Sequence, residues 1–180
     1  MVYIFLADGF EIIEALSPVD MLRRADIETV TVGVNGKTAV SSCGIEVVAD
    51  IEIGEFEYKS AEAVVLPGGA AGVENLEKNA SVQAVIDRAV KDGIFICAIC
   101  AAPSILGKKG LLGGVKATAY PSFMKYLDGA DIPENEYVIT DGKFITARGA
   151  GVSVDFGLEI VKQLSGADVY DKIRKSIQCG

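Results

Sequence analysis

The chain has 180 residues, half of them hydrophobic, with 20 glycines and 5 prolines. This length and composition indicate one folded domain with a full core. They exclude a disordered chain, and the length is too short for two domains of ordinary size. The net charge of −8 argues against nucleic acids and anionic membranes as partners, because both attract clustered lysine and arginine.

The first part of the chain predicts one strand and one helix. Val2–Leu6 is a short run of strand-forming residues, and a helical stretch follows from about Glu11 to Ala25. Ser17-Pro18 lies inside that stretch, and serine before proline is typical of a helix start, so we expect a kink or a restart there. Because the start has no basic region or cleavage-site pattern and no 18-residue apolar run is present, we expect a cytoplasmic chain with reduced cysteines.

The next segments predict a short set of antiparallel strands. Glu28–Val34 is rich in strand-forming residues. Asn35-Gly36 is a strong hairpin signal and predicts a turn into the run that follows it. Ile45–Ala49 is another short apolar run, and we expect it to extend the same antiparallel pairing.

The middle of the chain predicts two buried strands around one helix. Ala61–Leu66 reads as a strand that ends in a Pro-Gly-Gly turn, and Ile94–Ala98 reads as the next strand. Between them, Ser81 predicts the N-cap of an amphipathic helix that Gly93 closes. The glycines of the turn expose backbone amides that no Cβ obstructs.

The remaining segments alternate in the same way. In chain order they predict a short helix from about Ala102, a strand at Val115–Ala119, a helix starting at Pro121, a hairpin at Tyr137–Ala147 with Asp141-Gly142 at its turn, and helices at Val154–Leu164 and Asp168–Ile177. This alternation is typical of a parallel sheet covered on both faces. We therefore predict a single α/β domain over residues 1–180, a flavodoxin-like three-layer sandwich.

The stretch FICAICAAP (Phe95–Pro103) raises three interpretations of its cysteines. Cys100 is either an inert core residue or a nucleophile at a strand-to-helix elbow, and its flanking alanines nearly meet the elbow's requirement for small neighbours. A CxxC pair is disfavoured, because a strand points the Cys97 and Cys100 thiols to opposite faces. Cys43 and Cys179 lack the spacing for a zinc site. Cys97 is therefore interpreted as core packing.

The chain contains no histidine, which excludes Ser-His and Cys-His dyads and ordinary zinc hydrolase sites. Acid–base chemistry at neutral pH must then come from carboxylates, thiols, tyrosine or lysine. At an elbow, Cys100 would gain from the helix dipole and free amides, which favour the thiolate. Asp8, Glu11 and Glu14 are the candidates for a carboxyl group that hydrogen-bonds the thiol, and the pattern alone does not choose among them.

Four segments together resemble the ThiJ/PfpI superfamily, and most closely its DJ-1 branch, the parkinsonism-associated protein and its bacterial relatives. They are LADGFEIIEALSPVDMLRRADI, VVLPGGAAGVENL, AICAAPSIL and ITARGAGVSVDFGLEIV. The resemblance runs essentially from end to end, in order and in spacing. It implies a flavodoxin-like domain of the kind seen in class I glutamine amidotransferases, and a homodimer with the first helix near the interface.

The resemblance also implies the site. Cys100 matches the family's elbow cysteine, and Glu14 matches the glutamate that is protonated and hydrogen-bonds the cysteine sulfur. The backbone amides of Gly68, Gly69 and Ala101 are implied to form an oxyanion hole or to hold an oxidised sulfur.

Three positions need separate interpretation. Many family members carry a histidine where this chain has Tyr120, and a phenol cannot replace imidazole as a base at neutral pH. Tyr120 is therefore interpreted as a hydrogen-bond donor or as packing at the cleft edge, and Cys-His protease chemistry is not expected. Arg148 matches the family's R-G-x-G turn and is interpreted as solvated or ion-paired. Cys43 matches a peripheral family cysteine, expected to be exposed and oxidisable.

Two functions follow from this resemblance. The first is a glyoxalase- or deglycase-type enzyme, in which the Cys100 thiolate adds to a reactive dicarbonyl or glycated group and Glu14 moves the proton. The second is an oxidative-stress sensor or chaperone-like protein whose Cys100 oxidises to sulfinic acid. Both depend on one activated thiol, and we expect no metal or organic cofactor, no nucleic acid and no membrane as partners.

Overall fold

The computed structural model describes residues 1–58 and 61–179. The strands in these ranges are β1 (Val2–Leu6), β2 (Thr29–Gly33), β3 (Thr38–Val40), β4 (Glu46–Val48), β5 (Ile51–Glu52), β6 (Ala63–Leu66), β7 (Phe95–Ile99), β8 (Val138–Asp141) and β9 (Phe144–Ala147). The α-helices are α1 (Ile12–Arg24), α2 (Ala70–Lys78), α3 (Ala80–Asp92), α4 (Pro103–Lys108), α5 (Ser153–Ser165) and α6 (Ala167–Ser176). Short 3-10 helices cover Ile53–Glu55, Pro121–Tyr126 and Ala150–Val152.

A central sheet organises the described part of the chain. Its seven strands lie in the order β5-β2-β1-β6-β7-β9-β8, and all pairs are parallel except β8 with β9. Strand β1 is buried on both faces: Val2, Ile4 and Leu6 pack on one side, while Tyr3 and Phe5 pack on the other. Buried residues of α1, α5 and α6 cover the first side, and those of α2, α3 and α4 cover the second. The predicted flavodoxin-like sandwich is confirmed.

Helix α1 is continuous through Pro18, so the expected restart is wrong. Proline lacks the N–H that would bond the Glu14 carbonyl, a defect that usually breaks an isolated helix. Here the helix packs closely on α5, where Gly157 lets the backbone of Pro18 approach; a Cβ at Gly157 would lie 2.9 Å from the Pro18 Cα. Tertiary packing therefore outweighs the missing hydrogen bond.

The Asn35-Gly36 hairpin prediction is also wrong. Strand β2 is paired in parallel with β1 on one side and β5 on the other, so neither edge is free for a hairpin partner. Strand β3 pairs instead with β4 in a separate antiparallel sheet, which confirms the antiparallel pairing expected for Ile45–Ala49. The Asn35 side chain accepts the backbone N–H of Asp8 at 3.0 Å and so joins the loop after β1.

Two further local predictions need correction. The N-cap of α3 is Asn79, whose side chain accepts the N–H groups of Ser81 and Val82, so Ser81 lies inside the helix; the Gly93 end is confirmed, with φ at 65°. Val115–Ala119 forms no strand, because β9 already occupies the free edge of β7.

Other elements outside the sequence predictions are α2, which follows the Pro-Gly-Gly turn directly, and the two-residue strand β5. The hairpin of β8 and β9 and the two final helices are confirmed. Among the described residues, every helix is too short or too polar to cross a bilayer.

Candidate functional site

The candidate site lies where the neighbouring strands β1, β6 and β7 end. The chain runs from β1 to β2 on one side and later returns to β6 on the other side of β1, so this is where the strand order reverses. Ligand sites in doubly wound sheets form at this switch point, outside the carboxyl ends of the strands. The three loops that follow β1, β6 and β7 carry Glu11, Gly68 and Cys100, and a hydrogen bond from the Glu11 N–H to the Gly68 carbonyl at 3.0 Å ties the first two together.

Cys100 occupies the elbow between β7 and α4. Its φ of 63° lies in the left-handed region, which is uncommon for a residue with a side chain and is concentrated at functional sites. The Cys100 N–H donates to the Ala147 carbonyl at 2.9 Å, and the Cys100 carbonyl accepts the Tyr120 N–H at 2.8 Å. The thiol is partly exposed, whereas Cys97 is fully buried in the core. This geometry is that of an elbow, and Cys97 packs as predicted.

Glu14 is the acid that the fold brings to Cys100. It lies in the first turn of α1 and is fully buried, with its Oε2 accepting the Gly68 N–H at 3.0 Å. Its Oε1 is also buried, and the carboxyl interacts with the side chain of Cys100. Glu11 caps the helix instead, accepting the Glu14 N–H, and Asp8 accepts the N–H of Val40.

Gly68 holds the carboxyl and thiol groups together. A Cβ at this position would lie 2.6 Å from the Cys100 Cβ and closer still to the Glu14 Oε2. Real Cβ atoms do not approach so near, so the Glu14 carboxyl and the Cys100 side chain meet over a glycine that no larger residue can replace without movement.

Two of the three predicted amides face the sulfur. The backbone N–H groups of Gly69 and Ala101 lie close enough to the Cys100 side chain to favour its charged form. The Gly68 N–H is used by Glu14. The three-amide arrangement is therefore corrected to a two-amide cradle, with Gly68 as a carboxyl-holding residue.

Burial raises the pKa of the Glu14 carboxyl to about 7, with the nearby Glu11 charge acting in the same direction; hydrogen bonds from Cys100 and Gly68 oppose the rise. Burial, the charge of Glu14 and the hydrogen bond with Glu14 raise the pKa of Cys100 to about 12, against the pull of the two amides. The expectation of a lowered thiol pKa is thus wrong in direction while Glu14 is ionised. Because each charge opposes the other, a thiolate at neutral pH requires that Glu14 keep the proton.

The other predicted residues lie around this centre. Tyr120 is half exposed and lines a pocket with Arg148. Arg148 makes no ion pair among the described residues and is not fully solvated; its Nη2 donates to the Glu134 carbonyl, and its guanidinium lies 4.8 Å from the ring centre of Tyr137. Cys43 is exposed, as expected, with its sulfur 3.3 Å from the Ser41 Oγ.

Sequence reasoning missed Tyr137 as a pocket residue. Tyr137 immediately precedes β8 and meets Arg148 because β8 and β9 are antiparallel, with the Arg148 N–H donating to the Tyr137 carbonyl at 2.9 Å. The predicted hairpin register was the one available signal. Within residues 1–58 and 61–179, no group of Cys, Asp and Glu side chains could hold a metal ion.

The chain is similar in sequence and in structure to proteins of one known family. A model described as the DJ-1/PfpI family matches residues 1–163. The Drosophila melanogaster protein dj-1beta is 32% identical over 176 residues, which cover 97% of this chain and 94% of that protein. Its crystal structure superimposes with a TM-score of 0.95 and 30% identity over 99% of this chain and 97% of that one.

Two other similar proteins have names that state an oxidation state or an activity. The structure named "Toxoplasma gondii DJ-1, oxidized" has a TM-score of 0.92 and 32% identity, covering 98% of this chain and 97% of that one. The Caenorhabditis elegans protein named glutathione-independent glyoxalase DJR-1.2 is 25% identical over 167 residues, covering 93% of this chain and 89% of that protein.

Proposed function

Since this chain belongs to the DJ-1/PfpI family, we propose that it is a cysteine-dependent glyoxalase- or deglycase-type enzyme that acts on reactive dicarbonyls or glycated groups. The observation that carries the proposal is the packing of the fully buried Glu14 carboxyl against the elbow residue Cys100 over Gly68. A nucleophile beside a group able to hold and return its proton is the minimum that such chemistry requires.

The reaction of an α-oxoaldehyde, R–CO–CHO, uses these two residues in sequence. With the proton on Glu14, the Cys100 thiolate adds to the aldehyde carbon, and the oxygen takes a proton to give a hemithioacetal. A proton then leaves the former aldehyde carbon and another is added at the ketone carbon, so that the first carbon is oxidised and the second reduced. Water hydrolyses the resulting thioester and releases the 2-hydroxy acid and the thiol, so the balance is R–CO–CHO plus H₂O giving R–CHOH–COOH.

Glu14 is suited to move these protons. A general acid–base group works best when its pKa lies near the operating pH, and burial raises the pKa of Glu14 to about 7. The chain has no histidine for this task. The N–H groups of Gly69 and Ala101, which face the sulfur, would stabilise negative charge that develops next to it. The same addition to an early glycation adduct would give deglycase activity, and neither reaction needs a metal or an organic cofactor.

Methylglyoxal is the substrate for the decisive experiment. We expect the wild-type protein to convert it to lactate. Cys100→Ser should lower the rate of lactate formation by at least about 100-fold, the low end of the contribution of a catalytic acid–base group. Cys43→Ser is the matched control, because Cys43 is exposed and lies outside the elbow; it should retain the activity. Lactate formation by Cys100→Ser at the wild-type rate would overturn the proposal.

A second candidate function is a peroxide sensor or chaperone-like protein with little turnover. The observation that favours it is the two-amide cradle of Gly69 and Ala101 at the Cys100 sulfur, which suits a sulfinate, and a relative of this chain is named as an oxidised DJ-1. The Cys100 thiolate would attack one peroxide oxygen to give sulfenic acid and hydroxide. A second peroxide would convert the sulfenic acid to sulfinic acid and water.

Mild peroxide followed by peptide mapping separates the two functions. A sensor predicts two added oxygens on Cys100 before any on Cys43 or Cys179, together with lactate formation at background. Oxidation of Cys43 first would count against the sensor, and oxidation of Cys100 accompanied by rapid lactate formation would favour the enzyme.

A further inference from the structure

A pocket of about 470 Å³ opens beside the elbow. The two candidate reactions involve none of the side chains that line it. Apart from the cation Arg148, the residues that line it present tyrosine rings, apolar side chains or backbone. The lining residues are Tyr120, Pro121, Tyr137, Arg148, Gly149, Ala150, Gly151 and Val152. Cavities of this size, lined mostly by apolar groups with a few polar ones, are typical of small-molecule sites.

Two walls of the pocket are fixed to the backbone of Cys100. The Tyr120 N–H donates to the Cys100 carbonyl at 2.8 Å, and the Cys100 N–H donates to the carbonyl of Ala147, the residue before Arg148, at 2.9 Å. The pocket therefore begins beside the elbow and keeps a fixed position relative to it. The walls of the pocket are thus held by the residue that carries the nucleophile.

The aromatic residues of the pocket are open to a ligand. Tyr120 is 50% exposed and Tyr137 is 53% exposed, values that are high for such large side chains. The turn that separates them is glycine-rich: a Cβ at Gly149 would touch the Tyr120 ring at 3.5 Å. The missing side chain at Gly149 leaves this side of the Tyr120 ring uncovered.

Arg148 adds a positive charge and fixes one of these rings. Its guanidinium lies 4.8 Å from the centre of the Tyr137 ring, an arrangement in which cation and ring attract each other. Its Nη2 donates to the Glu134 carbonyl at 3.1 Å, and no carboxylate among the described residues pairs with it. The pocket thus combines aromatic surface with an unneutralised cation.

We infer that this pocket receives the R group of an α-oxoaldehyde and selects aromatic over small aliphatic R groups. The inference rests on the proposed enzyme function and names its substrate class. Tyr137 and Tyr120 supply the aromatic surface, and the charge of Arg148 favours the 2-hydroxy acid anion that the reaction forms. Phenylglyoxal, which gives mandelate, should be preferred to methylglyoxal, which gives lactate.

The kinetic test compares kcat/KM for phenylglyoxal with kcat/KM for methylglyoxal. Tyr137→Ala should lower this ratio by about 10-fold, since a lost aromatic pair and its buried area amount to that factor, and Tyr137→Phe should preserve it. Tyr126→Ala is the matched control, because Tyr126 is 38% exposed but lies outside the pocket. An unchanged ratio in Tyr137→Ala, or an equal fall in Tyr126→Ala, would overturn the inference.

A binding test separates this inference from the proposed function. Mandelate and lactate carry the same 2-hydroxy acid group and differ in the ring, so their affinities for the wild-type protein, measured by NMR titration, report the aromatic preference alone. Tighter binding of mandelate that disappears in Tyr137→Ala supports the pocket even if no oxoaldehyde is turned over, in which case only the enzyme proposal fails. Equal affinities for mandelate and lactate overturn the pocket whether or not turnover occurs.

Discussion

At the scale of single residues, Glu14 is the most consequential position, because a carboxyl group is buried with no cation beside it among the described residues. Burial raises its pKa from 4.5 to about 7. A carboxyl with a raised folded-state pKa stabilises the fold fully below its unfolded pKa, and that contribution is lost as the pH rises through the folded value. The loss of stability follows the first proton that the Glu14–Cys100 pair releases. It is the same whether the carboxyl or the thiol releases that proton.

We therefore predict that the wild-type protein loses about 3 kcal/mol of unfolding free energy between pH 5 and pH 8 that Glu14→Gln does not lose, since each pKa unit corresponds to about 1.4 kcal/mol. Glutamine keeps an oxygen to accept the Gly68 N–H but has no proton to release. Urea unfolding at several pH values measures the difference.

The control for Glu14 is Glu46→Gln, because Glu46 is exposed on β4. It should keep the wild-type pH dependence. If Glu14→Gln also keeps it, Glu14 does not titrate in this range, and the proton-transfer role assigned to it is wrong.

At the scale of secondary-structure elements, the packing of α1 on α5 holds the site together, because α1 carries Glu14 and remains continuous despite Pro18. Gly157 in α5 makes this packing possible. A Cβ there would lie 2.9 Å from the Pro18 Cα and 3.0 Å from the Met21 Cγ. The backbone of Pro18 cannot yield without moving the helix that carries Glu14.

Gly157→Ala should therefore destabilise the protein by about 1–2 kcal/mol. Overpacking costs roughly 1–3 kcal/mol, and the better helix propensity of alanine returns up to about 1 kcal/mol of it. Thermal or urea unfolding measures the change. Gly54→Ala is the matched control, since nothing lies within 4 Å of a Cβ at Gly54, and it should be neutral within about 0.5 kcal/mol. Equal stability of the two variants would contradict this picture of the helix contact.

At the scale of the whole molecule, exposed apolar residues lie on α1 and on the β3–β4 hairpin. Ile13, Ile45 and Val48 are 47%, 52% and 69% exposed. The hairpin is joined to the loop before α1, where the N–H of Ser42 donates to the Phe10 carbonyl at 2.7 Å. Large side chains exposed in neighbouring elements are typical of protein interfaces, and the family resemblance implies a homodimer with the first helix near its interface.

We predict that the wild-type protein is a dimer by light scattering after size exclusion, and that Ile13→Asp shifts it to a monomer, because an interface would then bury an unpaired charge. Val90→Asp is the control. Val90 is similarly exposed, at 42%, but lies on α3, on the other side of the sheet. A wild-type monomer, or a dimer unaffected by Ile13→Asp, would contradict the prediction.

Elements with strong local signals were predictable from the sequence, and the errors have common physical causes. Strand β1, the β8–β9 hairpin and α5 follow apolar runs, turn residues and periodicity that lie within a few positions of one another. The hairpin expected at Asn35-Gly36 and the strand expected at Val115–Ala119 fail because the edges they need are occupied by β5 and β9. Edge availability is a property of the assembled sheet, and no local pattern reports it.

The candidate site divides in the same way. The sequence alone determined that no imidazole takes part, that a cysteine stands at a break between strand and small residues, and that three acids follow the first strand, because residue type and local spacing are written in the chain. The family resemblance singled out Glu14. Only the tertiary structure decided that Glu14 is buried against Cys100, that the Gly68 amide serves Glu14 rather than the sulfur, and that Tyr137 reaches Arg148. Burial and the distances between groups far apart in sequence set the pKa of Glu14 and the shape of the pocket, and both exist only once the strands have paired.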